Sequence, residues 1–143
     1  MRLQIKHVEY MRWKVTRKVK KIDVRDELTP GLRGNEVRDT LLVFAAVEGI
    51  DQEDQEKVVE EAKKVIEQDA RQMKVENIVL YAFVHLFPES LPKAEFAMET
   101  MQKLEKTLKR NFNVYRVPFG WYKMHEYKCL GHPLSELSRT IRP

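Results

Sequence analysis

Polar and apolar residues alternate through residues 1–8 and again through residues 10–19. The apolar side of the first stretch holds Leu3, Ile5 and His7, and that of the second holds Met11, Trp13 and Val15. A period of two is typical of a strand with one buried face. The pattern therefore predicts two strands that form a hairpin, although no strong two-residue turn separates them.

Two continuous apolar runs follow, at residues 40–47 and 78–85. Runs of this length are typical of strands that are buried on both faces. The second run ends in His85, so the sequence predicts a histidine at the end of a buried strand. Residues 113–118 predict a short further strand. Residues 25–39 contain proline and glycine and lack periodicity, which predicts a loop.

A helical period marks two segments, residues 51–73 and residues 92–110. Each carries an apolar stripe on one side, which predicts a helix that packs on a sheet. Ser90 is the expected cap of the second helix. The first helix opens with the acidic residues Asp51, Glu53, Asp54 and Glu56. We interpret this cluster as a helix start whose side chains point into water, and not as a metal site.

Residues 121–129 alternate once more, between expected turns at Gly120 and Gly131. One face of this predicted strand carries Trp121, Lys123, His125, Tyr127 and Cys129, and the other carries Tyr122, Met124, Glu126 and Lys128. A lysine that shares a face with aromatic rings and a thiol is expected to be partly desolvated, which tunes an amine for chemistry. Lys123 is therefore the first candidate for a functional group. The alternative is an ordinary strand lysine that faces water.

The order of predicted elements is strand, strand, strand, helix, strand, helix, strand, strand and a polar tail. This order indicates an α+β fold in which two main helices pack on a mixed sheet. With 143 residues, 43% of them hydrophobic and 34% charged, the chain is expected to form one globular domain over residues 1–143. Its one cysteine excludes an intrachain disulfide and favours a reducing cytoplasm. No apolar run approaches the roughly 20 residues that span a bilayer, and no signal-peptide pattern opens the chain.

Positive charge is concentrated after the second predicted strand, and the chain as a whole has a net charge of +4. The basic residues there are Arg17, Lys18, Lys20 and Lys21. With Trp13 available for stacking, they suit an edge that binds RNA phosphates. Lysines also line solvated faces and protect edge strands from pairing with other chains. The pattern alone favours this second interpretation.

Further candidates are weaker when they are judged by residue type and spacing. His85 is as well explained by a bond to a backbone carbonyl, and Glu136 by a place on the surface. Cys129 and His132 are the types needed for a thiol and its base, but a buried inert cysteine is commoner. The histidines show no metal-ligand spacing, and no phosphate-binding glycine loop or nucleophile elbow is present. The sequence therefore predicts no metal and no cofactor.

Several segments together carry a resemblance to a known family. They are the run Pro118-Phe119-Gly120-Trp121-Tyr122-Lys123, Cys129 with residues 131–134, and residues 136–140, supported by the opening strand and by residues 43–48 and 81–86. These segments closely resemble the archaeal-type N-terminal editing domain of threonyl-tRNA synthetase, which has the D-aminoacyl-tRNA deacylase-like fold. The resemblance covers nearly the whole chain. Two positions depart from the family pattern, since Trp121 stands in place of tyrosine and Ala82 in place of proline.

The resemblance implies a hydrolase that removes mischarged L-serine from tRNA(Thr), with the 2′-hydroxyl of the terminal adenosine helping to activate water. It implies catalytic roles for Lys123, Tyr122, His85 and Glu136. It further implies a substrate pocket formed by Ala46, Val47, Phe83, Val84, Phe119, Gly120, Trp121 and Cys129, the first four through main-chain atoms. The family uses no covalent thiol, so Cys129 is expected only to line the pocket.

Partners follow from the same resemblance. They are the 3′ end of tRNA(Thr) carrying serine, a second copy in a homodimer, and the aminoacylation domain of the synthetase in cis or in trans, with no membrane. Two alternatives remain open. One is a deacylase of D-aminoacyl-tRNAs with the same fold, and the other is a non-catalytic module for tRNA binding or dimerisation.

Overall fold

The computed structural model describes all 143 residues. The elements follow in the order β1 (Arg2–Lys18), α1 (Pro30–Arg33), β2 (Gly34–Ala46), a 3-10 turn (Gly49–Glu53), α2 (Gln55–Gln72), β3 (Asn77–Ala82), α3 (Ala94–Leu108), β4 (Asn113–Arg116), β5 (Trp121–Cys129) and β6 (Glu136–Thr140). The predicted α+β class is confirmed, because α2 and α3 pack on a mixed sheet.

All six strands belong to one sheet, in the order β4-β3-β2-β1-β5, with β6 also paired to β1. One edge of β1 pairs antiparallel with β2. The other edge pairs antiparallel with β6 over residues 2–6 and with β5 over residues 8–18. The β2–β3 and β3–β4 pairs are parallel. Strands β5 and β6 therefore lie one after the other along the same edge of β1.

The two faces of the sheet bury separate apolar clusters. The larger cluster joins the sheet to the helices, with residues such as Ile66 of α2 and Leu104 of α3 packed against Val43 and Leu80. The smaller cluster contains no helical residue: its members are Val8, Met11, Trp13, Val37, Leu42, Phe44, Val79, Tyr81 and Val117. We call the side of the sheet that carries this smaller cluster the helix-free face.

The hairpin predicted for residues 1–19 is wrong, because β1 is one continuous strand. Its backbone groups are bonded by β2 on one edge and by β5 and β6 on the other, so no turn is needed. Leu3 and Ile5 lie in the larger cluster, whereas Met11 and Trp13 lie in the smaller one. The pairing with β5 is irregular between Val8 and Met11. A bulge of this kind moves later side chains to the opposite face, which explains the interrupted alternation.

Strand boundaries differ from the prediction at three other places. The expected loop at residues 25–39 includes α1 and the first part of β2, whose mostly polar, exposed side chains concealed the strand. Strand β3 ends at Ala82, so His85 lies beyond the strand and is exposed. The polar tail contains β6, which was not predicted because its side chains are mostly polar while its backbone pairs with β1.

The helix starts also differ. Asp54, and not Asp51, begins α2, where its side chain accepts a hydrogen bond from Lys57 N–H. Asp51 does not point into water: it is fully buried and forms an ion pair with the ammonium group of Met1. Ser90 does not cap α3, which has Lys93 at its N-cap without a side-chain bond. None of the helices is both long and apolar enough to cross a membrane.

Gly120 occupies a position that excludes a side chain. Its φ is +83°, and a Cβ atom there would lie 2.4 Å from Cβ of Arg25 and 2.8 Å from the carbonyl oxygen of Val24. A left-handed conformation alone costs a residue other than glycine ~1–2 kcal/mol. We therefore expect Gly120→Ala to lower the free energy of unfolding by about 2 kcal/mol or more, measured by urea denaturation.

Two other glycines provide matched controls for this substitution. Gly131 also has a positive φ, of +74°, but has no atom within 4 Å of its would-be Cβ, and Gly31 has neither constraint. Gly131→Ala should therefore cost ~1 kcal/mol, and Gly31→Ala should be close to neutral. A Gly120→Ala protein no less stable than Gly131→Ala would show that close packing against Arg25 is not a constraint.

Candidate functional site

Lys123 lies on the helix-free face, where no anionic group pairs with its ammonium. Its Nζ donates a hydrogen bond to the carbonyl oxygen of Pro118 at 3.0 Å and lies 4.9 Å from the ring centroid of Tyr81. Burial lowers the pKa of Lys123 to about 8, and the negative charge of Asp26 opposes part of that decrease. The side chain is therefore mainly an ammonium at neutral pH, partly removed from water, with N–H groups that can bind an oxygen atom.

Tyr81 and His125 form the wall beside Lys123. The hydroxyl of Tyr81 lies 3.3 Å from Nδ1 of His125, and their ring centroids are 5.1 Å apart. Burial raises the pKa of Tyr81 to about 12, so the phenol keeps its proton. Burial, and then the charge of Lys123, lower the pKa of His125. This wall is therefore uncharged at neutral pH, which keeps the surroundings of Lys123 weakly polar.

The alternation predicted for β5 is confirmed. His125 and Tyr127 lie on the face of Lys123, where both contact Phe44. Tyr122 lies on the other face, where its ring is 5.2 Å from the guanidinium of Arg17. The structure therefore does not bring the ring of Tyr122 to Lys123.

The carboxyl ends of β2 and β3 lie side by side near this wall. Ala45 is paired in register with Ala82, and Phe83 N–H donates to the Ala45 carbonyl at 2.8 Å. The four expected main-chain residues, Ala46, Val47, Phe83 and Val84, are therefore neighbours at one end of the sheet. The ring of Phe83 packs against Phe44 and Tyr81, with centroid distances of 4.7 and 5.8 Å.

His85 continues from this strand end. Its ring is 5.0 Å from that of Phe83 and is otherwise exposed, with no hydrogen bond to a backbone carbonyl. The alternative that explained His85 by such a bond is therefore not supported. The exposed ring is available to a ligand at the edge of the aromatic wall.

Phe119, Gly120 and Trp121 lie in the turn that carries Pro118. The main-chain N–H of Phe119 donates to the Asp26 side chain at 2.7 Å, and the indole N–H of Trp121 donates to the Asp26 carbonyl at 2.9 Å. The turn is thus attached to the segment that follows β1. Because Pro118 in this turn accepts the bond from Lys123, the same attachment fixes the position of the ammonium.

Glu136 lies at the start of β6, where Lys6 of β1 is directly opposite. Their side chains form an ion pair with 2.9 Å between Nζ and Oε1, and this bond to Lys6 lowers the pKa of Glu136. Nζ of Lys6 also lies 5.8 Å from the ring centroid of Tyr127. Glu136 is therefore connected to the helix-free face through Lys6, which the sequence did not suggest.

Cys129 and His132 do not form a thiol–imidazole pair. The thiol of Cys129 contacts the Ser135 carbonyl at 3.6 Å. The ring of His132 accepts from Leu134 N–H through Nδ1 and contacts His7 through Nε2, at 3.2 and 2.8 Å. Both ring nitrogens are occupied, so His132 is not directed at the thiol. No group of three histidine, cysteine, aspartate or glutamate side chains is placed to hold a metal ion.

The basic residues at the end of β1 have no acidic partner. Lys14, Arg17, Lys18, Lys20 and Lys21 are all exposed, and none forms an ion pair. Most other exposed lysines and arginines of the sheet and helices are paired, as Lys64 is with Glu61. Unpaired positive side chains on one end of the molecule are suited to phosphates.

The site is thus a lysine and a set of aromatic rings beside main-chain strand ends, and comparison with known proteins identifies its family. A model of the archaea-specific editing domain of threonyl-tRNA synthetase matches residues 1–141. The chain belongs to this family. It is therefore a domain of the aminoacyl-tRNA hydrolase type, as the resemblance predicted.

The relatives are themselves longer proteins. The chain is 41% identical to the threonine–tRNA ligase of Methanopyrus kandleri over 144 aligned positions, which cover 100% of this chain and 22% of that protein. It is 38% identical to the threonine–tRNA ligase of Methanococcoides burtonii over 142 positions, 99% of this chain and 22% of that protein. The corresponding enzyme of Thermococcus kodakarensis is 40% identical, with 100% and 22% covered. The chain thus spans about a fifth of the length of these relatives.

The sequence did not single out Tyr81, His125 or Asp26 as site residues. Period two placed His125 on the face of Lys123, and Tyr81 lies in a segment that carries the resemblance, so both left a signal. Asp26 left none, because its contacts are with residues far along the chain.

Because Lys123 is desolvated, replacing this lysine by an uncharged residue is expected to raise the free energy of unfolding. The folded-state pKa of about 8 lies below the ordinary value of 10.5, so between these values the unfolded chain binds more protons. The free energy of unfolding of the wild-type protein should therefore rise with pH over this window. Lys123→Met should be more stable than wild type at pH 7, and the difference should shrink towards pH 10.

Urea denaturation of both proteins at pH 7, 8, 9 and 10 measures this effect. Lys64→Met is the matched control, because Lys64 is exposed and bonded to Glu61. It should show no comparable gain. A Lys123→Met protein that is less stable than wild type at pH 7 would contradict a desolvation penalty at this position.

Proposed function

We propose that the chain proofreads tRNA(Thr) by hydrolysing the ester that joins mischarged L-serine to the terminal adenosine. The observation that carries the proposal is the environment of Lys123 in a member of an editing-domain family. Its ammonium is held by one carbonyl oxygen and is partly removed from water. A positioned donor in such a site stabilises the negative charge that develops on an ester carbonyl oxygen.

In the proposed reaction a water oxygen adds to the ester carbonyl carbon, and the bond from that carbon to the adenosine 3′ oxygen then breaks. Serine leaves as a carboxylate, and the 3′ oxygen regains a proton. The neighbouring 2′-hydroxyl of the adenosine orients the water and, as it receives the water's proton, passes its own proton to the departing 3′ oxygen. Lys123 polarises the carbonyl in its ammonium form. No protein nucleophile is required, which accords with a Cys129 thiol that has no imidazole base beside it.

The other implied residues have secondary parts in this proposal. His85 holds the ester end, since its exposed ring lies at the edge of the aromatic wall. Glu136 completes the polar side through its ion pair with Lys6. Tyr122 can contribute only through its main chain, because its ring lies on the other face of β5. Phe119, Gly120, Trp121 and Cys129 line the pocket.

Recognition of a group as small as serine is assigned to main-chain atoms. Ala46 and Val47 at the end of β2, and Phe83 and Val84 after β3, bring peptide groups together at the sheet end. Peptide groups have a fixed donor and acceptor geometry, so they can bind an α-amine and a hydroxyl without large side chains. Editing is needed because a synthetic site separates threonine from serine, which differ by one methyl, by only ~1–3 kcal/mol.

The proposed partner is the 3′ end of tRNA(Thr) in the cytoplasm, with residues 1–143 acting as one editing domain. The relatives are about five times longer than the chain, so the aminoacylation domain acts with it in cis or in trans. A homodimer is also proposed. Several large apolar side chains are exposed, among them those of Ile50, Val84, Phe87 and Leu91, and exposed apolar groups commonly mark contact surfaces.

Hydrolysis of esterified tRNA(Thr) tests the function directly. Seryl-tRNA(Thr) should be deacylated, whereas threonyl-tRNA(Thr) should be preserved. Lys123→Met, which keeps the length of the stem and removes the charge, should lower the rate by roughly 10²-fold or more, the scale of one positioned polar group. Rates are measured in a single turnover, with the spontaneous hydrolysis of each ester subtracted.

Two controls separate the RNA-assisted route from a thiol route. Cys129→Ala should remain active, and a seryl ester on tRNA ending in 2′-deoxyadenosine should persist. The opposite pattern would replace this mechanism with nucleophilic attack by the thiol. Preferential loss of D-aminoacyl esters would favour the D-aminoacyl-tRNA deacylase, and binding without turnover would favour the non-catalytic module.

The unpaired basic residues predict a salt-dependent contact with tRNA. Replacing Lys14, Arg17, Lys18 and Lys20 together by glutamine should weaken binding and reduce the slope of log K against log salt by about 2 or more, because each phosphate contact contributes ~0.7–0.9. The control replaces Lys63, Lys64, Lys103 and Lys109, which are all ion-paired on the helices. It removes the same charge elsewhere. Equal slopes in the two variants would indicate that the basic end is merely solvated.

A further inference from the structure

Asp26 has a buried carboxylate to which the proposed reaction assigns no direct part. It lies in the segment after β1 and is only 6% exposed. Its oxygens accept hydrogen bonds from both terminal nitrogens of Arg116, from Phe119 N–H at 2.7 Å and from the Gln102 amide at 3.2 Å. Burial by itself raises the pKa of Asp26, but the bonds from Arg116 and Phe119 outweigh it and hold that pKa below its ordinary value.

The main chain of Asp26 is attached to the same turn. Its N–H donates to the Phe119 carbonyl at 3.0 Å, and its carbonyl accepts from the Trp121 indole at 2.9 Å. One residue therefore holds both sides of the turn formed by residues 117–121. This turn also holds the ammonium group of Lys123, because the Pro118 carbonyl accepts its hydrogen bond.

We propose that Asp26 is a positioning residue for the editing reaction: it fixes the turn whose Pro118 carbonyl aims Lys123. The proposal rests on the function proposed for Lys123. It deepens that function, because it explains why a lysine without an ion-pair partner keeps one orientation and its proton.

Geometry and charge act together in this arrangement. Arg116 compensates the charge of Asp26, so the carboxylate stays ionised although it is buried. The remaining field at Lys123 is negative and partly offsets the desolvation of its ammonium. A purely structural group would hold the turn but would leave the titration of Lys123 unchanged.

Asp26→Asn tests the proposal with little change in shape. Each carboxylate oxygen accepts from Arg116 and from one further donor, so an amide NH₂ in either position would face donors. The single-turnover rate on seryl-tRNA(Thr) at saturating protein should fall about 10-fold or more. This is the size of the loss when residues that orient the ligands of a metal site are replaced. The half-saturating protein concentration should change less than about 2-fold. The loss of activity on the alkaline side, near pH 8 in wild type, should move to lower pH.

Glu105→Gln is the matched control. Glu105 Oε2 lies 3.5 Å from Nε of Arg116, so this change also removes a negative charge beside Arg116, but Glu105 forms no hydrogen bond or ion pair with residues 117–121. Its rate and pH profile should match wild type. A folded Asp26→Asn protein with the wild-type rate and profile would overturn the proposal, as would an equal effect of Glu105→Gln.

Lys123→Met separates failure of this inference from failure of the proposed function. If Lys123→Met is active, the function proposed for Lys123 fails; if it is inactive while Asp26→Asn behaves as wild type, the Asp26 proposal alone fails.

The wild-type protein gives a readout that does not depend on a variant folding. The Phe119 amide proton, bonded to a buried carboxylate, should be strongly protected from hydrogen exchange, and exchange at the rate of an unstructured peptide would overturn the assigned contact.

Discussion

The positions of Lys123 on β5 and Glu136 on β6 both depend on the pairing of β1 along its two edges. One edge is occupied by β2, so β5 and β6 must share the other. Their connection is then confined to a short path, where His7 donates to the Ser135 carbonyl and accepts from Leu130 N–H, each at 3.0 Å. Lys123 and Glu136 are consequently placed by the register of a single strand. A slip of one residue would turn both side chains to the opposite face.

The second constraint is the cost of keeping a lysine away from water. A lowered pKa means that the folded protein disfavours the charged form, which reduces stability at neutral pH. Other parts of the structure offset this loss of stability. They are the two apolar clusters and buried pairs such as Asp26–Arg116. Locally unfavourable groups that persist in a well-packed frame are typical of functional sites. An ordinary strand lysine that faces water would not have the contacts of Lys123 with the Pro118 carbonyl and the Tyr81 ring.

The sequence predicted those features that depend on local periodicity. The alternation at residues 121–129 placed Lys123, His125 and Tyr127 on one face correctly, and the apolar runs located the parallel centre of the sheet. Features that depend on distant backbone pairing were missed. Strand β6 has mostly polar side chains and exists because β1 offers an edge, and the single strand β1 was interpreted as two because its buried side changes midway. Asp26 could not be recognised, since its partners lie 76 to 95 positions away.

The difficulty of the proposed reaction lies in rejecting threonine, and we propose that rigid strand ends achieve this. A site that must bind the smaller amino acid can exclude the larger one by a steric clash, and this exclusion is not limited by the small transfer energy of a methyl group. A steric clash discriminates only if the wall of the pocket cannot move. Ala46 and Val47 are buried, Phe83 is bonded to Ala45 through its main chain, and its ring packs against Phe44. A close-packed wall of this kind yields little to an added methyl, whereas flexible side chains would adapt to it. In this proposal, main-chain recognition at paired strand ends serves selectivity as well as binding.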